Sequence, residues 1–139
     1  DKKKVVLDED IQALVEERVS EVPEVYQLVS FQISSGNKLI STATVELMRD
    51  ETVKTEAATG DGPIDAAFNA IERCANMELT LVDYGLRAVT GGKDALGEVT
   101  VKVSNGKKTY LGRGISTDVI EASIKAYLNA INRMTMDVY

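Results

Sequence analysis

The residues with the most chemical promise fall into two glycine-bearing runs and one interrupted strand. Gly60-Asp61-Gly62-Pro63 stands just ahead of an apolar stripe at helical spacing. A helix start there exposes unpaired N–H groups carrying partial positive charge, the makings of an anion site. A plain strand-to-helix turn fits the same residues. A dinucleotide fingerprint would need a third glycine three residues after Gly62, where the chain has Asp65, so that reading fails. Thr90-Gly91-Gly92-Lys93 has the outline of a phosphate loop, but such a loop needs glycine at position 87 and Ser or Thr at 94; the chain has Arg87 and Asp94. In Asp83-Tyr84-Gly85 a glycine breaks into a strand, which marks a bulge or a close approach by a ligand or backbone. The neighbouring Asp, read as facing inward, then needs a hydrogen-bonding partner or solvent.

Acid-base, metal and nucleophilic chemistry find little to work with. The chain has no histidine, which removes the side chain most used for proton transfer near neutral pH and the commonest metal ligand. Its 22 Asp and Glu residues include no pair singled out by spacing, so they read as a solvated acidic surface. Cys74 falls on the apolar stripe of a helix and reads as core rather than nucleophile. No catalytic residue, metal site or cofactor is therefore expected within this chain.

The elements that position these runs occur twice, about 55 residues apart. One stretch runs from about Val25 to Ala75, the other from about Leu79 to Met134. Phe31–Lys38 lines up with Leu86–Lys93, an extended apolar segment closed by Ser/Thr-Gly-x-Lys, and Ala43–Leu47 with Val99–Val103, where strict alternation marks a half-buried strand. Polar turns follow, Arg49-Asp50-Glu51 in one copy and Ser104-Asn105-Gly106 in the other. Asn-Gly is a hairpin signal because both residues tolerate positive φ. Third strands are expected at about Thr52–Ala58 and Lys108–Gly114. Each copy closes with a helix: Ile64, Ala67, Phe68, Ile71 and Cys74 form one stripe behind Pro63, and Ile120, Ile124, Tyr127, Leu128 and Ile131 the other behind Ser116-Thr117-Asp118. The expectation is an α+β fold of two pseudo-symmetric βββα units in one domain, residues 23–139. Ahead of it, residues 1–22 carry a short helix with Ile11, Leu14, Val15 and Val19 on one face, either a linker or a third helix packed on the domain.

A net charge of −6 argues against nucleic acid and anionic membranes, and no apolar run approaches the roughly 18 residues that span a bilayer. One cysteine fits a reducing, cytoplasmic setting. The start, Asp1-Lys2-Lys3-Lys4, lacks a methionine and a small-residue cleavage site, and is read as a cut within a longer polypeptide.

Several motifs in sequence resemble one family. Ala57–Ala66, containing Gly60-Asp61-Gly62-Pro63-Ile64-Asp65, is similar to the allosteric domain that ends 2-isopropylmalate synthases and the related citramalate synthases. So are Leu81-Val82-Asp83-Tyr84, Ala88–Val99 with its Thr90-Gly91-Gly92-Lys93-Asp94-Ala95-Leu96-Gly97 core, Gly112–Ser123, and Ala126–Arg133. The resemblance covers about Val25 to Met134 in unbroken order. It implies two βββα units related by a pseudo-twofold axis, a homodimer, and an end-product amino acid bound near the dimer interface. That effector is leucine for 2-isopropylmalate synthase and isoleucine for citramalate synthase; the motif pattern sits closer to the leucine branch. It also implies a catalytic barrel in the parent chain, condensing acetyl-CoA with a 2-oxo acid (2-oxoisovalerate on the leucine branch).

An amino acid effector needs donors for its carboxylate, an acceptor for its ammonium and an apolar pocket. Within the resemblance, the Gly60–Pro63 helix start offers the donors and Asp65 or Asp83 the acceptor. Ile64, Leu81, Tyr84, Ala88, Ala95 and Gly97 are candidates for the pocket. A module that only dimerises, its effector site decayed, is the alternative from a different class.

Overall fold

The computed structural model describes residues 22–89 and 95–138. Its elements run β1 (Gln27–Gly36), β2 (Leu39–Arg49), β3 (Thr52–Gly60), α1 (Pro63–Ala75), β4 (Thr80–Ala88), β5 (Gly97–Ser104), β6 (Thr109–Ser116) and α2 (Val119–Val138). The strands form two antiparallel three-stranded sheets, ordered β1-β2-β3 and β4-β5-β6, each followed by its helix. This is the expected α+β arrangement of βββα twice. The expected helix within residues 1–22 falls outside the described residues except for Val22, and so does Thr90-Gly91-Gly92-Lys93.

Periodicity explains the layering. In β2, Ala43, Val45 and Leu47 are buried and alternate with half-buried Thr44 and Glu46; in β5, Val99, Val101 and Val103 do the same. These inward faces meet the apolar stripes of the helices, α1 lying on β3 and β2 and α2 on β6 and β5. The helices also meet each other, where the rings of Phe68 and Tyr127 stack 3.9 Å apart. One core results. Ile71, Ile124 and Ile131 are fully enclosed in it, each worth about 1.5–3 kcal/mol of burial.

The strand registers correct the alignment of the repeats. Ser41 pairs with Gly60 as Gly97 pairs with Ser116, and Ala43 with Ala58 as Val99 with Gly114, so the second and third strands correspond position by position. In the first strands, Phe31 faces Val45 as Tyr84 faces Val101. Phe31 therefore corresponds to Tyr84, not to Leu86. The shared Ser/Thr-Gly-x-Lys run misled the alignment because the hairpins differ in length: Asn37-Lys38 alone separates β1 from β2, whereas β5 begins only at Gly97.

The turns depart from expectation in an informative way. Asn105-Gly106 is the stronger hairpin signal, yet only Gly106 takes a positive φ, of 93°. Asn105 instead accepts the Lys107 and Lys108 amides on its Oδ1, at 2.9 and 2.8 Å. Between β2 and β3 it is Asp50 and Glu51 that adopt φ of 52° and 63°, as a two-residue hairpin of the I′ kind demands. A left-handed Glu is strained, so Glu51→Gly is expected to stabilise the chain by about 1 kcal/mol. A rise in urea midpoint at constant slope would show it; an unchanged or lower midpoint would refute it.

Candidate functional site

The Gly60–Asp65 segment is built by a close approach. A Cβ on Gly60 would lie 2.4 Å from the Ala66 amide nitrogen, so the first turn of α1 rests directly on the end of β3. The first helical hydrogen bond runs from Ala66 N–H to Gly62 O at 2.9 Å. Pro63 has no N–H to place, and the amides of Gly62, Ile64 and Asp65 have no helical carbonyl to reach. Asp65 Oδ2 accepts the Asp61 N–H at 2.8 Å, which closes the turn. Both carboxylates are exposed, while Ile64 is half-buried against the core.

Gly62 caps α1 without a side-chain hydrogen bond. Its φ of −161° is ordinary extended backbone, and a Cβ there would meet nothing within 4 Å. Neither conformation nor crowding demands a glycine at this position. The corresponding residue ahead of α2 is Asp118: Ala122 N–H bonds its carbonyl at 2.9 Å, and its Oδ1 accepts the Ile120 amide at 3.0 Å. One helix start is thus capped in the usual way and its counterpart is bare.

The second group lies on the other sheet. Every residue of β4 except Tyr84 is exposed, including Leu81 and Ala88. Asp83 is exposed too, which corrects the expectation that it faces inward. The cause is a register shift between Leu81 and Asp83, a bulge that turns the carboxylate to solvent; Gly85, where the sequence pointed, pairs regularly with Thr100. Tyr84 reaches inward, its hydroxyl 2.7 Å from Ser123 Oγ. Ala88 pairs with Gly97, and a Cβ on Gly97 would sit 3.3 Å from Leu86 Cδ1. Ala95 is half-buried beside Leu96, whose carbonyl takes the Val89 amide at 2.8 Å.

The fold gathers Gly60, Asp61, Gly62, Pro63, Ile64 and Asp65 at one helix start, and Leu81, Asp83, Tyr84 and Ala88 on the edge strand β4, with Ala95 and Gly97 where β5 begins beside Ala88. Among the described residues no hydrogen bond joins the two groups within a protomer. Three neighbours escaped the sequence reading. Leu39 and Ile40 are 65 % and 74 % exposed and immediately precede Ser41, the partner of Gly60; two apolar residues at a strand start were the available signal. Ser123, at 0 % exposure, ends the Gly112–Ser123 run, but nothing in that run marks it as the partner of Tyr84. A groove of about 1110 Å³ between β1 and α2, lined by Leu28, Phe31, Ile115 and Leu128, contains none of the expected site residues. Cys74 is buried, donates to the Val45 carbonyl, and has its thiol pKa pushed up by burial and then by Glu56, consistent with a core residue.

Residues 5–135 match the family model described as the LeuA allosteric (dimerisation) domain. The chain is 62 % identical over 138 residues to the 2-isopropylmalate synthase of Ruminiclostridium cellulolyticum. It is 50 % identical to that of Pelotomaculum thermopropionicum and 51 % to that of Carboxydothermus hydrogenoformans. Each alignment takes in 99 % of this chain and 27 % of the relative, so the chain spans about a quarter of the proteins it matches. A doubled βββα fold whose helix starts and sheet edges carry this family's motifs, matched almost end to end, makes the chain a member of the LeuA allosteric (dimerisation) domain family.

Proposed function

We propose that this chain is the feedback-regulatory domain of a 2-isopropylmalate synthase, binding leucine and pairing with a second copy of itself, while the condensation of acetyl-CoA with 2-oxoisovalerate takes place in a catalytic barrel of the parent chain. The observation that carries the reading is the bare cap of α1. A glycine that neither φ nor crowding requires leaves the first helical amides without a side-chain cap, and the acid of the first turn, Asp65, is engaged by the Asp61 N–H; a carboxylate-bearing ligand there gains both hydrogen bonds and dipole stabilisation. The leucine carboxylate then takes the Gly62 and Ile64 amides, and its ammonium takes Asp65 or Asp83. Ile64 and the apolar residues of β4 enclose its side chain.

Dimerisation supplies what one protomer lacks. Strand β4 is uncovered and carries Leu81, Val82 and Leu86 at 40–54 % exposure, a sheet edge that isolated proteins seldom leave open. A twofold partner covers it and closes the pocket with its own copy of these residues.

Calorimetry with leucine, isoleucine and valine, alongside sedimentation, tests both halves. Leucine is expected to bind best, with a margin over isoleucine of only about 1–3 kcal/mol, since the two differ in the placement of one methylene. The sedimenting species should have twice the chain mass. Tighter binding of isoleucine would assign the domain to the citramalate branch. A dimer that binds none of the three would leave a dimerisation module, and a monomer at high concentration would sink the assembly.

A further inference from the structure

Helix α2 holds both strand β4 and the entering segment Val22–Tyr26. On one side, the Tyr84 hydroxyl lies 2.7 Å from Ser123 Oγ, and Ser123 in turn donates to the Val119 carbonyl. One turn further on, Tyr127 donates to Glu72 Oε2 at 2.7 Å. The other oxygen of Glu72 accepts the amide of Leu79, the residue before β4, at 3.4 Å. Burial, then the bond to Glu72, drives the Tyr127 pKa far up, so this donor keeps its proton. Towards the far end of the helix, Asn132 clasps Tyr26 on both backbone groups, accepting its N–H at 2.9 Å and donating to its carbonyl at 3.2 Å. Asn132 and Tyr26 are 3 % and 6 % exposed. A displaced Asn132 leaves a buried amide and carbonyl unpaired.

We infer that α2 is the transmission element of this domain, carrying a change at β4 through Ser123 and Tyr127 to Asn132 and so to the segment Val22–Tyr26. Packed helices shift as units by small sliding movements. Ser123 and Asn132 are about 13 Å apart along the axis, so a displacement imposed on β4 reaches Tyr26 without contact between them. Asn132 acts here as a positioning residue. The inference rests on the leucine reading for its input, but the mechanical link stands without it.

Hydrogen exchange on the full chain tests it in two arms. With leucine bound, the Tyr26 amide is expected to exchange more slowly in the wild type by about fivefold, the lower end of ordinary coupling. In Ser123→Ala with Tyr127→Phe, calorimetry should still show leucine binding while the effect at Tyr26 disappears. Survival of the Tyr26 response in that double variant overturns the inference. Without any ligand, Ser123→Ala should speed exchange at Tyr26 by a clearly larger factor than at Val45, which lies fully buried in β2, the central strand of the first sheet. An equal increase at the two amides is mere global destabilisation and also overturns it. Should leucine fail to bind the wild type, the effector reading falls; in that case, or if the double variant alone loses binding through its Tyr84 contact, the ligand-free arm decides the link.

Discussion

Gly112→Ala and Gly114→Ala are each expected to cost about 4 kcal/mol or more, a value single substitutions seldom reach, and to leave little folded protein if total stability is near 5 kcal/mol. A methyl on Gly112 would lie 2.0 Å from the Ala126 carbonyl oxygen and 2.7 Å from the Ala130 nitrogen; on Gly114 it would lie 2.3 Å from the Ala122 carbonyl and 2.6 Å from the Ala126 nitrogen. These obstacles are helix backbone, which has no rotamer to change, so relief requires α2 to lift off β6 and open the core. The first unit provides an internal comparison. Its counterpart of Gly114 is Ala58, which already carries a Cβ, so at this position α1 leaves room for a methyl that α2 does not. Gly106→Ala is the control: its φ of 93° is unfavourable for alanine but nothing lies within 4 Å, and the cost should be about 1 kcal/mol. Urea midpoints give all three directly. Gly112→Ala unfolding no more easily than Gly106→Ala would show that the helix and sheet are not in close contact.

Leucine at about 100 times its dissociation constant is expected to add roughly 2.7 kcal/mol to the folded state, several degrees of melting temperature for a domain of this size. Gly62→Asp should abolish that rise. The substitution places a fixed carboxylate where the ligand's own carboxylate approaches the helix start, exchanging attraction for repulsion and occupying the amides it needs. Strain plays no part, because the backbone at Gly62 is extended and the space is open. The second unit, moreover, carries Asp118 in the corresponding position. The ligand-free variant should therefore melt at the same temperature or slightly higher, since an Asp cap exceeds a Gly cap by a few tenths of a kcal/mol. In an intact synthase the same change is expected to relieve leucine inhibition, as an effector shifts conformations only by its differential affinity for them. A full leucine shift in folded Gly62→Asp protein would mean that the ligand binds elsewhere.

What could be read from the residues depended on whether a feature is periodic. The alternation in β2 and β5 and the stripes of α1 and α2 each repeat a short rule several times, and the elements stand where those rules put them. Features set by one residue against a distant one were hidden. Gly112 and Gly114 are glycines within a strand, a pattern that announces a close approach without naming the partner, and Ala122, Ala126 and Ala130 are unremarkable helix residues until the two surfaces meet. Asp83 reads as facing inward in the sequence, and one extra residue near Val82 turns it to solvent. Gly60 and Gly62 resembled each other in the turn, yet only Gly60 is required by crowding. The candidate site was legible as motifs, but its halves lie on different sheets, and that separation is a property of the whole chain.

The correspondence between the two units bears on how such a site could arise. Two βββα units meeting helix to helix through Phe68 and Tyr127 have the form of a pair of identical subunits, here joined by the short run from Asn76 to Leu79. A tether of this kind replaces an association between molecules with one inside a molecule, at an effective concentration of about millimolar, so the pairing no longer depends on both halves presenting the same surface. Each half is then free to drift. Asp118 can go on stabilising its helix while its twin becomes a glycine, and the stability given up at one cap is borne by a partner that cannot diffuse away. Duplication of this fold thus lets one copy keep a capped helix start while the other is released from that requirement.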